Sequence, residues 1–202
     1  MRYLAKITTT FALALVFSAG MAFGQDNTAD INQRNGSNLN ASIQQVGSAN
    51  SAEISQANFG GGVAHNAEVY QEGAGNSADV LSDGFVEAND VTVDQIGDAN
   101  EATVGQKSGG NIADIDQNGS GNVGTVSHRG SFQSEGIIDQ DGSDNVAEIL
   151  DGGQGTSAND TFASITQDGN LNSATVEQFG AGDSATVTQN GNSNTAMISQ
   201  TP

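Results

Sequence analysis

Residues Gln189-Asn190-Gly191-Asn192-Ser193-Asn194-Thr195-Ala196-Met197-Ile198-Ser199-Gln200 carry the pattern that decides the fold. The closing five alternate: Ala196, Ile198 and Gln200 fall on one side, Met197 and Ser199 on the other. That period of two is the signature of a short strand burying one face. The opening six hold turn residues, with Gly191 free to take the positive φ of a tight arc and Asn able to hydrogen-bond its own backbone. The stretch reads as strand end, arc and next strand.

Working outward, fifteen copies of a five-residue string small-x-Ile/Val-x-Gln run from Ala29-Asp30-Ile31-Asn32-Gln33 to Ala196–Gln200, with Ile or Val always in the middle and Gln at the fifth position in twelve. Fifth positions fall at 33, 45, 56, 71, 82, 95, 106, 117, 128, 140, 151, 167, 178, 189 and 200; every second gap is 11 residues, and the intervening gaps run from 11 to 16. Two kinds of turn therefore alternate. A β-solenoid with two short strands per rung explains this, since one edge can carry a fixed arc while the other tolerates insertions such as Gly60-Gly61-Gly62 and Gly152-Gly153-Gln154-Gly155. The expected fold is all-β, about seven and a half rungs stacked in cross-β fashion. The seven strict arcs all read Gln-x-Gly-x-x-Asn, with arc glycines Gly47, Gly73, Gly97, Gly119, Gly142, Gly169 and Gly191. Their asparagines, Asn50, Asn76, Asn100, Asn122, Asn145, Asn172 and Asn194, would stand at one height and form a hydrogen-bonded ladder.

Composition excludes several functions. The 202 residues carry 5 Lys and Arg against 24 Asp and Glu, so a basic nucleic-acid groove is disfavoured. No Cys and two His leave no thiolate or histidine-rich metal site, and no cofactor is expected. Low hydrophobicity with high charge would suit a disordered chain, but 27 Gly, 21 Asn and 16 Gln recurring in register do not.

Residues 1–24 stand apart: Arg2 and Lys6 precede the apolar run 11–17, and Ala22-Phe23-Gly24 fits cleavage before Gln25. This is the pattern of a secretory signal peptide, too short to span a bilayer, so no stable membrane insertion is expected. The organisation anticipated is a signal peptide over 1–24, a short leader over 25–28, repeats over 29–200 and a tail of 201–202.

The arcs resemble the curlin repeat of curli subunits, Gln-x-Gly-x-Gly-Asn-x-Ala-x-x-x-Gln. Gln71-Glu72-Gly73-Ala74-Gly75-Asn76-Ser77-Ala78 and Gln117-Asn118-Gly119-Ser120-Gly121-Asn122 carry both glycines, and the other arcs replace the second. The resemblance implies a cross-β solenoid secreted to the bacterial cell surface, polymerising into curli-like functional amyloid for adhesion and biofilm matrix. It also implies two partners, a nucleator subunit and an outer-membrane secretion channel that engages a longer polar leader than Gln25 to Thr28. The near-complete glutamine columns and the lack of bases in the last repeat place the chain nearer the major subunit than the nucleator.

Physical chemistry points the same way. End rungs of an open solenoid leave unpaired backbone groups, and short strands bearing Gln, Asn and Ile suit stacked interfaces, so head-to-tail growth with further copies is the expected outcome. The fifth positions form two columns. One is unbroken (Gln45, Gln71, Gln95, Gln117, Gln140, Gln167, Gln189), while the other (Gln33, Gln56, Gln106, Gln178, Gln200) is interrupted by Ser82, His128 and Asp151. The interruptions read either as gatekeepers that slow premature aggregation, or as a pH-sensitive pair in which an inward Asp151 bonds His128 and raises its pKa. Asp30, Glu53, Asp79 and Glu148 share one outward position, where stacked like charges would repel until protonated or screened.

Rival readings are weaker. A calcium β-roll needs Asp where Gly152-Gly153-Gln154-Gly155-Thr156-Ser157 has Ser157, and Thr103, Thr125, Thr175 and Thr186 form no continuous ice-binding array. A polysaccharide-cleaving β-helix enzyme would need paired acids in a cleft and aromatics to stack a sugar; no nucleophile elbow or His-Glu-x-x-His motif is present, so no catalytic residue is assigned, and a soluble solenoid that binds calcium, ice or carbohydrate stays as the alternative. His65 reads as a solvated loop residue, and Phe59, Phe85, Phe132, Phe162 and Phe179 as packing or inter-fibre contacts.

Overall fold

The computed structural model describes residues 26–35, 38–59, 64–84, 87–152 and 159–201. The expected signal peptide, the glycine insertion 60–62, most of the insertion 152–155, and Phe85 lie outside them. Each of the fifteen strings lies in one strand: β1 (Thr28–Arg34), β2 (Asn40–Ser48), β3 (Ser51–Asn58), β4 (Asn66–Ala74), β5 (Ser77–Gly84), β6 (Asp90–Asp98), β7 (Glu101–Gln106), β8 (Ile112–Ser120), β9 (Val123–His128), β10 (Glu135–Ser143), β11 (Val146–Asp151), β12 (Phe162–Asn170), β13 (Ser173–Gln178), β14 (Ser184–Asn190) and β15 (Thr195–Gln200).

Odd-numbered strands form one eight-stranded sheet in the order β1-β3-β5-β7-β9-β11-β13-β15, and even-numbered strands a seven-stranded sheet from β2 to β14. These are called the odd and even sheets below. All pairings are parallel and in register, so Ile54 lies beside Val80 and Gln71 beside Gln95. The chain is a β-solenoid of about seven turns with two strands per turn. β1 joins the odd sheet in full register with β3, from Thr28 beside Ser51 to Arg34 beside Ala57.

The two sheets face each other across a thin core of Ala, Val and Ile, with Ile54, Ile115, Ile138, Ile149 and Ile165 fully buried. Register makes this core work: a one-residue slip would turn every Ile outward. At the two ends the same inward positions are only half-buried, at Ile31, Ala41 and Ile43 on one side and Ala196 and Ile198 on the other.

The arcs are tight because backbone packs on backbone. Gly73 has φ of +118°, and a Cβ there would lie 1.9 Å from the carbonyl oxygen of Gly97 in the next rung. Only glycine fits both the conformation and the approach.

Candidate functional site: ladders and open ends

The glutamines of the even sheet form a continuous chain. Each Nε2 donates to the Oε1 of the next rung, Gln45 to Gln71 at 2.8 Å and onward through Gln95, Gln117, Gln140 and Gln167 to Gln189 at 2.8–2.9 Å. The second N–H crosses to the odd sheet, where a backbone carbonyl accepts it, Gln71 to Ser51 and Gln95 to Ser77 at 3.0 Å each. Each amide thus binds rung to rung and sheet to sheet, and with Gln71, Gln95, Gln117, Gln140 and Gln167 fully buried no water competes.

The odd column behaves differently. Gln33 donates to Gln56 and Gln178 to Gln200, both at 2.9 Å, but the axial chain stops between them. Ser82 is too short to reach its neighbours, leaving Ser82 Oγ and Gln106 Oε1 without partners, and around Asp151 the atoms His128 Nδ1, His128 Nε2, Asp151 Oδ1 and Gln178 Oε1 are likewise buried and unpartnered among the described residues. One neighbouring volume fits an interruption. A Cβ on Gly136 would lie 2.8 Å from Val126 Cγ1 and 3.1 Å from His128 Nε2, so glycine in the place usually held by Ala leaves room for both side chains.

The expected hydrogen bond between His128 and Asp151 is not made. Nε2 and Oδ2 are 3.9 Å apart, beyond hydrogen-bond reach, and Asp151 Oδ2 instead accepts from the Thr161 hydroxyl. With a fully buried ring and no donor or acceptor partner, desolvation dominates and the His128 pKa is lowered to about 4 rather than raised. Burial also pushes the Asp151 carboxyl up, opposed by its hydrogen bonds to Thr161 and Ser134.

Along the strict-arc edge the asparagines form a ladder of mixed kind. The backbone N–H of Asn76 donates to Asn50 Oδ1 at 2.9 Å, and Asn76 Nδ2 donates to the Gly97 carbonyl of the next arc at 2.8 Å. The same pair of bonds recurs at Asn100 and Asn122; the backbone bond continues through Asn145 and Asn172 to Asn194. Asn27 belongs to it as well, accepting from the Asn50 N–H at 2.9 Å and donating to Gly47.

A second ladder on the opposite edge was not read from sequence. Asn89 N–H donates to His65 Nδ1 at 3.0 Å, Asn111 N–H to Asn89 Oδ1 and Ser134 N–H to Asn111 Oδ1 at 3.1 Å. His65 is therefore 1 % exposed and a ladder member, not a solvated loop residue, and burial lowers its pKa, with Asp83 acting the other way. The available signal was position: counting back two residues from the first residue of the string in β4, β6, β8, β10 and β12 lands on His65, Asn89, Asn111, Ser134 and Thr161, as it lands on the asparagines before the odd strands.

Outward acids are arranged differently from the expectation. Asp30, Glu53 and Asp79 stack on consecutive rungs, but Thr103 and Thr125 separate Glu148 from them. The tighter stack is on the even sheet, where Asp94, Asp116 and Asp139 are direct neighbours. Partial burial, then repulsion from neighbouring carboxylates, raises the pKa of these three and of Asp114. Among the described residues no group of His, Cys, Asp or Glu is placed to hold a metal ion. No helix among them is long and apolar enough to cross a membrane.

These bonds are polar along the axis, in two opposite senses: every axial glutamine Nε2 donates toward the higher-numbered rung, whereas each ladder asparagine Oδ1 accepts a backbone N–H from it. Gln33 and Gln45 therefore begin their columns with no glutamine donor, and Gln189 and Gln200 end theirs with no glutamine acceptor among the described residues. The low-numbered end of the solenoid thus offers glutamine acceptors and the high-numbered end offers glutamine donors beside the Asn194 Oδ1 acceptor, each next to strand edges that pair with no other described strand.

A family model for the curlin associated repeat matches residues 24–57, 87–111, 158–190 and 172–201, about half of the chain. The chain belongs to the curlin-repeat family. A search of curated proteins finds no match. The matches fall on both kinds of strand, so the curlin repeat here is one full turn of the solenoid, an even strand, a strict arc and an odd strand.

Proposed function

We propose that this curlin-repeat chain is a secreted structural subunit, not an enzyme, that polymerises head to tail into curli-type amyloid fibres on the bacterial surface, where they serve adhesion and biofilm matrix. The observation carrying this reading is the complementarity of the two ends: glutamine donors at the high-numbered end match glutamine acceptors at the low-numbered end, and half-exposed Ile31 and Ile43 match Ala196 and Ile198. Burying such edges and apolar side chains against a second copy continues both sheets without a new interface type. Residues 1–24 are assigned as the export signal, a nucleator subunit and an outer-membrane channel as partners, and the major-subunit role is favoured over the nucleator.

The test is dilution of residues 25–202 from denaturant, followed with an amyloid dye, fibre diffraction and seeding. Seeded growth with a meridional spacing near ~4.7 Å is the expected result. A stable, dye-negative β-rich monomer would overturn polymerisation and leave a soluble solenoid binding calcium, ice or carbohydrate.

A further inference from the structure

The outer face of the odd sheet is broken by a trough of about 270 Å³. Its cause is one residue type. The fourth position of the strand string is Leu81 in β5, Gly105 in β7, Ser127 in β9 and Leu150 in β11, so two small residues lie between two leucines on consecutive rungs. Gly105 and Ser127 make the floor and Leu81 and Leu150 the walls. Two positions back along the strands, Thr103 and Thr125 are neighbours, flanked by Asp79 and Glu148. Two positions forward stand Lys107 and Arg129.

Those two cations are unusual in their surroundings. The chain has 5 Lys and Arg against 24 acids, yet Lys107 and Arg129 follow directly on adjacent strands at the same end of the same trough. Like charges at that spacing repel; the Asp83 carboxylate, one residue beyond the Ser82–Gln106 pair, attracts Lys107 without a contact ion pair, and Arg129 makes no ion pair among the described residues. Arg129 Nε donates to Ser127 Oγ at 3.1 Å, which holds the guanidinium at the trough mouth. Gly105 needs no special backbone, and a Cβ there would meet nothing nearer than Ser127 Oγ at 3.9 Å. Glycine is therefore not required by the fold at this position; what it supplies is the empty volume.

We propose that this trough binds a carboxylate-bearing saccharide, a short stretch of a hexuronic-acid polymer. Lys107 and Arg129 hold the carboxylate through charge-assisted hydrogen bonds, the Thr103, Thr125 and Ser127 hydroxyls and the Asp79 and Glu148 carboxylates take the ring hydroxyls, and the Leu81 and Leu150 walls cover the C–H faces of the ring. A hexuronic acid carries its carboxylate and its hydroxyl donors on one rigid ring and so presents both to the trough at once, whereas polyglutamate reaches the cations only from a flexible side chain; the rigid ring favours the sugar. The trough is complete within one chain, so the proposal goes beyond polymerisation and does not depend on it.

The test measures binding of an oligogalacturonate, its methyl-esterified form and polyglutamate to residues 25–202, by calorimetry on freshly diluted chain and by co-sedimentation on any fibres that form. Gly105→Leu fills the trough while leaving both cations, and Lys107→Ala with Arg129→Ala removes the cations while leaving the trough. The oligogalacturonate is expected to bind, with each variant weakening it roughly tenfold or more, and the ester and polyglutamate binding poorly. Absence of oligogalacturonate binding, equal binding of polyglutamate, or binding that Gly105→Leu leaves unchanged overturns the proposal, whether or not the chain forms fibres.

Discussion

Replacing His128 with Gln restores an amide at the most disrupted point of the odd column, and its effect can be worked from the structure. At neutral pH the new Gln gives the Gln106 Nε2 an acceptor one rung on and can cross to the Ile112 carbonyl as Gln106 crosses to Asp90. Two such bonds, together with the removal of two unpartnered ring nitrogens, stabilise by about 1–3 kcal/mol. Lower pH enlarges the difference. The unfolded chain protonates His128 near 6.5, the folded chain only near 4, so between these values the unfolded state holds more protons and wild-type stability falls as pH falls. From those two values the loss is about 2 kcal/mol at pH 5 and about 3 kcal/mol at pH 4, and His128→Gln abolishes it. Taking the variant minus wild type at each pH cancels the contributions of Asp151, His65 and the surface acids to the extent that they titrate alike in both chains. Urea unfolding of the freshly diluted chain by circular dichroism, from pH 7 to pH 4, is the assay. A difference that stays flat with pH refutes the claim that burial holds His128 neutral, and a difference that shrinks on acidification would mean that Asp151, 3.9 Å away, raises the His128 pKa.

Three further outcomes are expected. Gly73→Ala combines a positive φ with a Cβ 1.9 Å from the Gly97 carbonyl oxygen, and should lower the urea-derived stability by about 3 kcal/mol or more; a loss below about 1 kcal/mol would show that the arcs relax freely. Asp116→Asn removes the middle carboxylate of the even-sheet stack, whose raised pKa values mean that repulsion is present above them and lost as pH falls through them. Fibre lag time should therefore shorten at pH 8 and change little at pH 4, and equal shortening at both would assign the effect to something other than charge. Ile198→Lys places a cation on the half-exposed inward face of the final strand, and should stop addition of copies while preserving the β signal in the monomer; seeded elongation at the wild-type rate would mean that this face is not part of the junction.

How far the sequence revealed this molecule depends on whether a residue's partner sits at a fixed distance along the chain. The fifteen strands, the alternation of arcs and the continuous even-sheet glutamine column are legible because partners recur at the same point of each string, as Gln71 and Gln95 do. The second ladder is not, because His65, Asn89, Asn111 and Ser134 share a position but not a residue type, and the variable arcs before them blur the count. The His128–Asp151 pair shows another limit. Register places both in one inward column on adjacent rungs, but whether they bond depends on side-chain reach and on the competing Thr161 hydroxyl, which belongs to the next strand's approach and has no repeat of its own. Nor could spacing reveal the trough, which depends on the coincidence of Gly105 and Ser127 between two leucines.

The two glutamine columns do different work, and the difference follows from where the interruptions fall. An axial amide chain is directional, and a break leaves orphaned buried atoms on both sides of it, as at Gln106 and Gln178. Were Ser82, His128 and Asp151 divided between the columns, the sheets would lose continuity on both sides of the core. Confined to one, they leave the even column able to hold the stack from Gln45 to Gln189, with each of its amides also bonded across to the odd sheet. The odd sheet is thereby tied through the intact column even where its own chain is broken. The imidazole is accommodated on that side because Gly136 leaves room for it, and a buried titratable group can reside there without severing the solenoid. Of the two inward columns only the odd one carries titratable groups, His128 and Asp151, while the even column supplies an amide thread without them that runs from Gln45 to Gln189.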